Sequence, residues 1–175
     1  MTEKEVIPEE QEKWTYTWEE FDSDIRMLAH TIRPHADTGE YDFLCGIPRG
    51  GMVVAAALSH YLNDMPIIET AQAIEIERRI RARQSFIGSA TDDLKRLAEE
   101  GERVLLVDDC TDQGLTLRIA PAFDVAVIHY KPWSHMRPRF YVHQTSCWLE
   151  YPWEKDSKRD YLARFGRPLT KGVQS

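Results

Sequence analysis

Apolar residues recur along this chain at two periods, and the alternation between them lays out an α/β protein. Trp18, Phe21, Ile25, Leu28, Ala29 and Ile32 fall on one face at helical spacing. Thr17-Trp18-Glu19-Glu20 has the spacing of a capping box, which predicts a helix start at Trp18, and Pro34 predicts its end. The face reads as packing against a core. Before it, Trp14–Thr17 is a candidate short strand. Tyr41–Ile47 is a second strand candidate, running through Pro48-Arg49-Gly50-Gly51 into MVVAAALSHYL, whose small and apolar residues suit a buried helix. Pro66–Glu69 is a further short strand candidate. Thr91 is placed to cap a helix that ends near Gly101, with Leu94 and Leu97 inward. Val104–Val107 is four apolar residues in succession between polar neighbours, the pattern of a strand covered on both faces of a parallel sheet. Asp124–Tyr130 is the next strand, ended by Lys131-Pro132-Trp133, and Phe140–His143 follows it. No repeat and no linker divides the sequence. One domain over 14–154 is expected, preceded by a flexible acidic arm (1–13) and followed by a polar, basic extension (155–175) with a short helix near Tyr161–Phe165.

Composition narrows this picture without changing it. The 175 residues suffice for one full core, and 42% hydrophobic with 29% charged residues is the balance of a globular domain. A net charge of −7 and a pI near 5.4 argue against general affinity for nucleic acid, though not against a local basic pocket. No apolar run approaches 18 residues, and the amino terminus lacks the apolar core of a secretory signal, so the expected location is the cytoplasm, away from any membrane. Three cysteines without CxxC spacing indicate neither a disulfide framework nor a zinc site. Cys45, within an apolar run, reads as a small buried residue.

The chemistry gathers where the Val104–Val107 run breaks into polar residues. Asp108 and Asp109 are expected at the carboxyl end of that strand, where open α/β sheets bind ligands. Asp112–Thr116 can then curl into an anion cradle, because Gly114 permits positive φ and successive N–H groups can converge on a phosphate. Carboxylates beside such a cradle suit a phosphorylated sugar. Pro48–Gly51 reads either as an ordinary tight turn or as a backbone-lined anion site charged by Arg49. Arg78, Arg79, Arg81 and Arg83 read as a solvated helix face or as part of a basic loop over an anionic substrate. Between Ser146 and Glu154, two tryptophans and a tyrosine are either core aromatics or a stacking platform for a flat ring.

These stretches resemble the type I phosphoribosyltransferases. VLLVDDCTDQGLT is similar to the family's signature for PRPP (5-phosphoribosyl 1-diphosphate), and IPRGG to its diphosphate loop. Thr17-Trp18, Lys131-Pro132 and CWLEYPWE at 147–154 narrow the resemblance to the 6-oxopurine branch, in particular the xanthine–guanine and hypoxanthine-type enzymes. The resemblance implies a central, mostly parallel sheet flanked by helices with a small hood, and transfer of phosphoribosyl from PRPP to hypoxanthine, guanine or xanthine in purine salvage. It assigns Asp108 and Asp109 to the ribose hydroxyls and to Mg²⁺. Asp112 becomes general acid/base at purine N7. Gln113, Gly114, Leu115 and Thr116 hold the 5′-phosphate, and Arg49 with Gly50 and Gly51 the diphosphate. Lys131, Trp148 and the Leu149 backbone take the base, while Trp133 and Trp153 remain packing residues. Relatives are commonly dimers or tetramers, so a homo-oligomer is expected.

One departure stands out. The family usually has threonine where this chain has Gln113, which is larger and lacks the compact hydroxyl. The alternative is a non-catalytic or regulatory relative that binds PRPP or a nucleotide; retention of Asp112, Arg49 and Lys131 together favours the enzyme. VLLVDD also opens receiver-type signalling domains, but here it lies too far along the chain for a full receiver to follow.

Overall fold

The computed structural model describes residues 12–47, 49–68, 97, 99–112 and 123–154. Strand β1 (Lys13–Thr15) leads into helix α1 (Trp18–Asp37). Strand β2 (Phe43–Gly46) leads into helix α2 (Gly50–Tyr61). Then follow β3 (Val104–Thr111), β4 (Asp124–Tyr130), β5 (Phe140–Gln144) and β6 (Trp148–Glu150), with a single 3₁₀ turn at Pro152–Glu154. Four strands form a parallel sheet in the order β2-β3-β4-β5, and β1 pairs with β6, also in parallel, as a separate two-stranded hood.

Side-chain alternation along β3 separates two apolar layers. Leu105 and Val107 point into a core with Ile25, Leu28 and Ile32 of α1 and Val54 and Leu58 of α2. Val104 and Leu106 point to the opposite face, among Cys45, Ile47, Val125 and Val127, with Leu97 against them. The strand is therefore covered on both sides, as its unbroken apolar run requires. Cys45 is fully buried in the second layer.

Helix α1 begins at the expected residue for the expected reason. The Thr17 hydroxyl accepts the Glu20 N–H at 3.1 Å, and the Glu20 carboxylate accepts the Thr17 N–H at 2.7 Å. Two expectations about this helix change. It runs past Pro34 to Asp37, because proline removes one N–H and disturbs one carbonyl, that of His30, on an exposed face where water can serve it. Trp18, expected inward, is 52% exposed, with its ring edge-on to Phe21 and tilted against Trp153. Of the strand expected over Pro66–Glu69, the described residues form an isolated bridge, Leu44 to Ile67, and Glu69 lies outside them. Gly101, at φ +77°, follows the helical residues 97 and 99, and Glu102 N–H returns to the Leu97 carbonyl.

Candidate active site

Backbone pairing carries β3 beyond its apolar residues and through both aspartates to Thr111. Cys110 is in register with His129 and Thr111 with Tyr130 of β4. The acidic pair thus lies in the carboxyl half of the strand rather than just past it. Successive residues of a strand face opposite ways, but the carboxyl groups of Asp108 and Asp109 remain close enough to hydrogen-bond each other. Asp109 continues the Leu105–Val107 side, toward α2.

This explains the double glycine. A Cβ on Gly50 would lie 1.6 Å from Asp109 Oδ2, and one on Gly51 would lie 2.4 Å from the Val107 carbonyl oxygen. Only a residue without a side chain lets the start of α2 close onto the acidic strand. Asp109 Oδ1 accepts the Cys110 N–H at 2.8 Å, and Oδ2 accepts the Trp153 indole N–H at 3.3 Å. Its own N–H donates to Asp108 Oδ1 at 2.9 Å. Burial pushes the Asp109 carboxyl above the usual carboxylate range, and these hydrogen bonds only partly oppose it. Burial and the Asp109 charge also raise Glu154, against which Arg49 supplies the opposing positive charge. Arg49 stands exposed at the N-cap of α2.

A second group of side chains sits where β3 and β4 end. Lys131 N–H donates to the Thr111 carbonyl at 3.0 Å, tying the two strand ends together. The Lys131 side chain is 5% exposed; its ammonium donates to the Cys147 carbonyl and lies 5.5 Å from the centre of the Trp133 ring. The Trp133 indole N–H donates in turn to Asp112 Oδ1 at 2.9 Å. Asp112 is exposed, at the last described position after β3. Lys131, Trp133 and Asp112 are thus one connected unit at the carboxyl edge of the sheet.

The hood contributes Trp148, 62% exposed, and Leu149, whose side chain is buried. Strand β6 bonds to β1 through Trp148 N–H to the Glu12 carbonyl and Tyr16 N–H to the Glu150 carbonyl. Backbone groups alternate in direction along a strand, so Leu149 N–H and C=O turn toward the opposite edge of the hood. Gln113, Gly114, Leu115 and Thr116 lie outside the described residues, as do Pro48 and the arginines at 78, 79, 81 and 83.

Two residues expected only to pack do more. Trp133 holds Asp112, and Trp153 holds Asp109 while stacking on Tyr151 at 4.8 Å between ring centres. Tyr151 itself was not expected at the site, yet its hydroxyl donates to the Asp109 carbonyl at 3.1 Å. The available sequence signal was the density of aromatics after Cys147. Which carboxylate each ring reaches depends on how the hood folds back over the sheet.

Comparison with known proteins bears on the fold and the family. A profile of the phosphoribosyl transferase domain matches residues 16–148. The xanthine-guanine phosphoribosyltransferase of Chromohalobacter salexigens is 24% identical over 170 residues, covering 94% of each chain. That of Cereibacter sphaeroides is 27% identical over 158 residues, 86% of this chain and 92% of that one. Among solved structures, a purine phosphoribosyltransferase from Pyrococcus horikoshii superposes with a TM-score of 0.56 at 26% identity, covering 81% of this chain and 93% of its own.

Proposed function

Because the chain belongs to the phosphoribosyl transferase family and is a phosphoribosyltransferase, we propose that it transfers the 5-phosphoribosyl group of PRPP to a 6-oxopurine. The products are the nucleoside monophosphate and diphosphate, and the role is purine salvage in the cytoplasm. The names of the relatives support a purine as acceptor. The observation that carries the choice of a 6-oxopurine is the buried Lys131. One of its three N–H donors is committed to the Cys147 carbonyl, which fixes the head group and leaves donors for a ligand. An exocyclic O6 satisfies such a donor, whereas the 6-amino group of adenine opposes it with another donor. A mismatch of buried hydrogen-bond partners discriminates by roughly 10⁴-fold or more.

In this reading the bond from ribose C1 to the diphosphate oxygen breaks as a bond from C1 to the base nitrogen forms, through a transition state of oxocarbenium character. The chain's task is position and charge. Asp112, with Oδ1 held by Trp133, offers its other oxygen to the proton at purine N7. Asp108 and Asp109 accept hydrogen bonds from the ribose hydroxyls. Both Asp109 oxygens already accept one bond, but a carboxylate oxygen has room for a second. Arg49 and the Gly50–Gly51 backbone hold diphosphate, and Gln113, Gly114, Leu115 and Thr116 hold the 5′-phosphate. Trp148, standing clear of the hood, stacks on the base, and the Leu149 backbone meets its edge. Mg²⁺ fits the oxygen-only donor set of Asp108 and Asp109, and a divalent cation offsets the cost of burying Asp109 as an anion. When bound, it neutralises charge on the phosphate oxygens. A dimer or tetramer is the expected assembly.

The test is a panel of bases. Purified protein with PRPP and Mg²⁺ releases diphosphate with hypoxanthine, guanine or xanthine. Turnover with adenine alone overturns the role given to Lys131. Stabilisation by PRPP without consumption of any base overturns the reaction itself.

A further inference from the structure

Away from the PRPP and base residues, one buried cluster has no part in the reaction just described. Asp24 comes from α1, His129 from β4 and His143 from β5, and a ligand-capable atom of each lies within 4.8 Å of the others. Asp24 is 5% exposed and His129 fully buried; His143 is half-buried. Asp24 Oδ2 accepts the Tyr16 hydroxyl at 2.7 Å and meets His143 Nε2 at 2.9 Å. The two imidazoles face each other, 5.4 Å between centres and 28° from parallel.

The telling atom is His129 Nε2, buried and without a hydrogen-bond partner among the described residues. Its tautomer follows from its neighbours. Tyr151 has a single hydroxyl proton, and that proton goes to the Asp109 carbonyl. The contact of 2.9 Å between the Tyr151 hydroxyl and His129 Nδ1 therefore has Nδ1–H as donor. Nε2 is left as a bare lone pair. That lone pair is fully buried, on a residue grouped with Asp24 and His143. A neutral imidazole that donates through one nitrogen and presents the other is the arrangement a metal-bound histidine adopts.

We propose that Asp24, His129 and His143 form a binding site for a divalent transition-metal ion of the zinc class, joining α1 to β4 and β5 beneath the hood. Two imidazole nitrogens and a carboxylate oxygen suit Zn²⁺ or Co²⁺, with water completing the coordination. Mg²⁺ and Ca²⁺ prefer oxygen ligands alone and are rejected by this set. A cation there also compensates the buried Asp24 carboxylate. The site uses none of the three cysteines, so the absence of cysteine motifs does not bear on it. It is independent of which base the enzyme accepts.

The full chain, freed of any affinity tag, stripped with EDTA and dialysed, is titrated with Co²⁺ in excess Mg²⁺. The expected result is one equivalent with the visible absorption of nitrogen-ligated Co²⁺, displaced by Zn²⁺, and a raised melting temperature with either metal. His143→Ala and Asp24→Asn should each weaken binding by at least about 10-fold, whereas substituting the exposed His30 and His60 by alanine should leave it unchanged. His143 is half-buried, so its alanine variant keeps the test open if Asp24→Asn does not fold. Binding that survives His143→Ala, or that disappears with His30 and His60, overturns the proposal. So does failure to take up Co²⁺ at all, which makes His129 Nε2 the partner of a buried water.

Discussion

At the scale of single residues, the site's acids differ in surroundings and hence in task. Asp109 is locked on both oxygens, by a backbone N–H and an indole, and burial raises its carboxyl. Asp112 is exposed and, among the described residues, held at Oδ1 by Trp133. A proton-transfer group needs an oxygen open to a ligand, and of these two acids Asp112 is the more exposed. Asp112→Asn keeps the shape and a carbonyl oxygen for the Trp133 indole. It should lower kcat by about 10²–10⁴-fold while PRPP affinity changes little. Steady-state kinetics with the preferred base, alongside calorimetric titration of PRPP, separates the two effects. Loss of PRPP binding instead moves Asp112 from proton transfer to substrate binding.

At the scale of elements, α1 shows how a local signal fixes one end of a helix and not the other. The start is set by reciprocal bonds between Thr17 and Glu20, joined by the Trp14 indole N–H at 3.1 Å from Glu20 Oε1. Burial acts to raise Glu20, but these bonds outweigh it and hold the carboxyl below its ordinary range. A depressed folded pKa means that the unfolded chain takes up the proton first. The stabilisation is therefore present above the unfolded value and lost as pH falls through the folded one. Glu20→Ala should cost about 1 kcal/mol at pH 7, and the deficit should shrink toward pH 3. Urea melts of the two proteins at both pH values measure this; a deficit independent of pH assigns the loss to packing alone. The far end of α1 obeyed no such signal, because Pro34 sits on the exposed face near the end of an otherwise well-anchored helix.

At the scale of the molecule, Tyr151 joins the hood to the main sheet. Just after β6, its hydroxyl reaches both the Asp109 carbonyl and His129 Nδ1, and its ring stacks on Trp153, which itself holds Asp109. The hood that carries Trp148 and the strand that carries the acidic pair are thereby fixed to each other. Tyr151→Phe removes only the hydroxyl and leaves the stack. It should destabilise the fold by about 1–2 kcal/mol, the cost of leaving buried polar partners unmet. It should also raise the KM for PRPP several-fold with a smaller change in kcat, since the residue positions Asp109 rather than touching the reacting atoms. A lowered melting temperature with unchanged KM assigns Tyr151 to packing alone.

The sequence by itself determined much of this protein. Apolar periodicity located α1 and the strands β2 to β5. Thr17 and Glu20 marked where α1 begins, and VLLVDDCTDQGLT with IPRGG pointed to the family. These features are local, written in neighbours along the chain. Tertiary structure alone decided that Gly50 is a glycine because Asp109 occupies the space of its Cβ, and that β3 runs on through its aspartates because β4 pairs with them. It also decided that Trp133 and Trp153 bind carboxylates, and that Asp24, His129 and His143 meet at all. Each of those contacts joins residues 14 or more positions apart. A propensity or a period reports only on the turn of helix or the strand around it; which distant side chain arrives is set by how the layers pack.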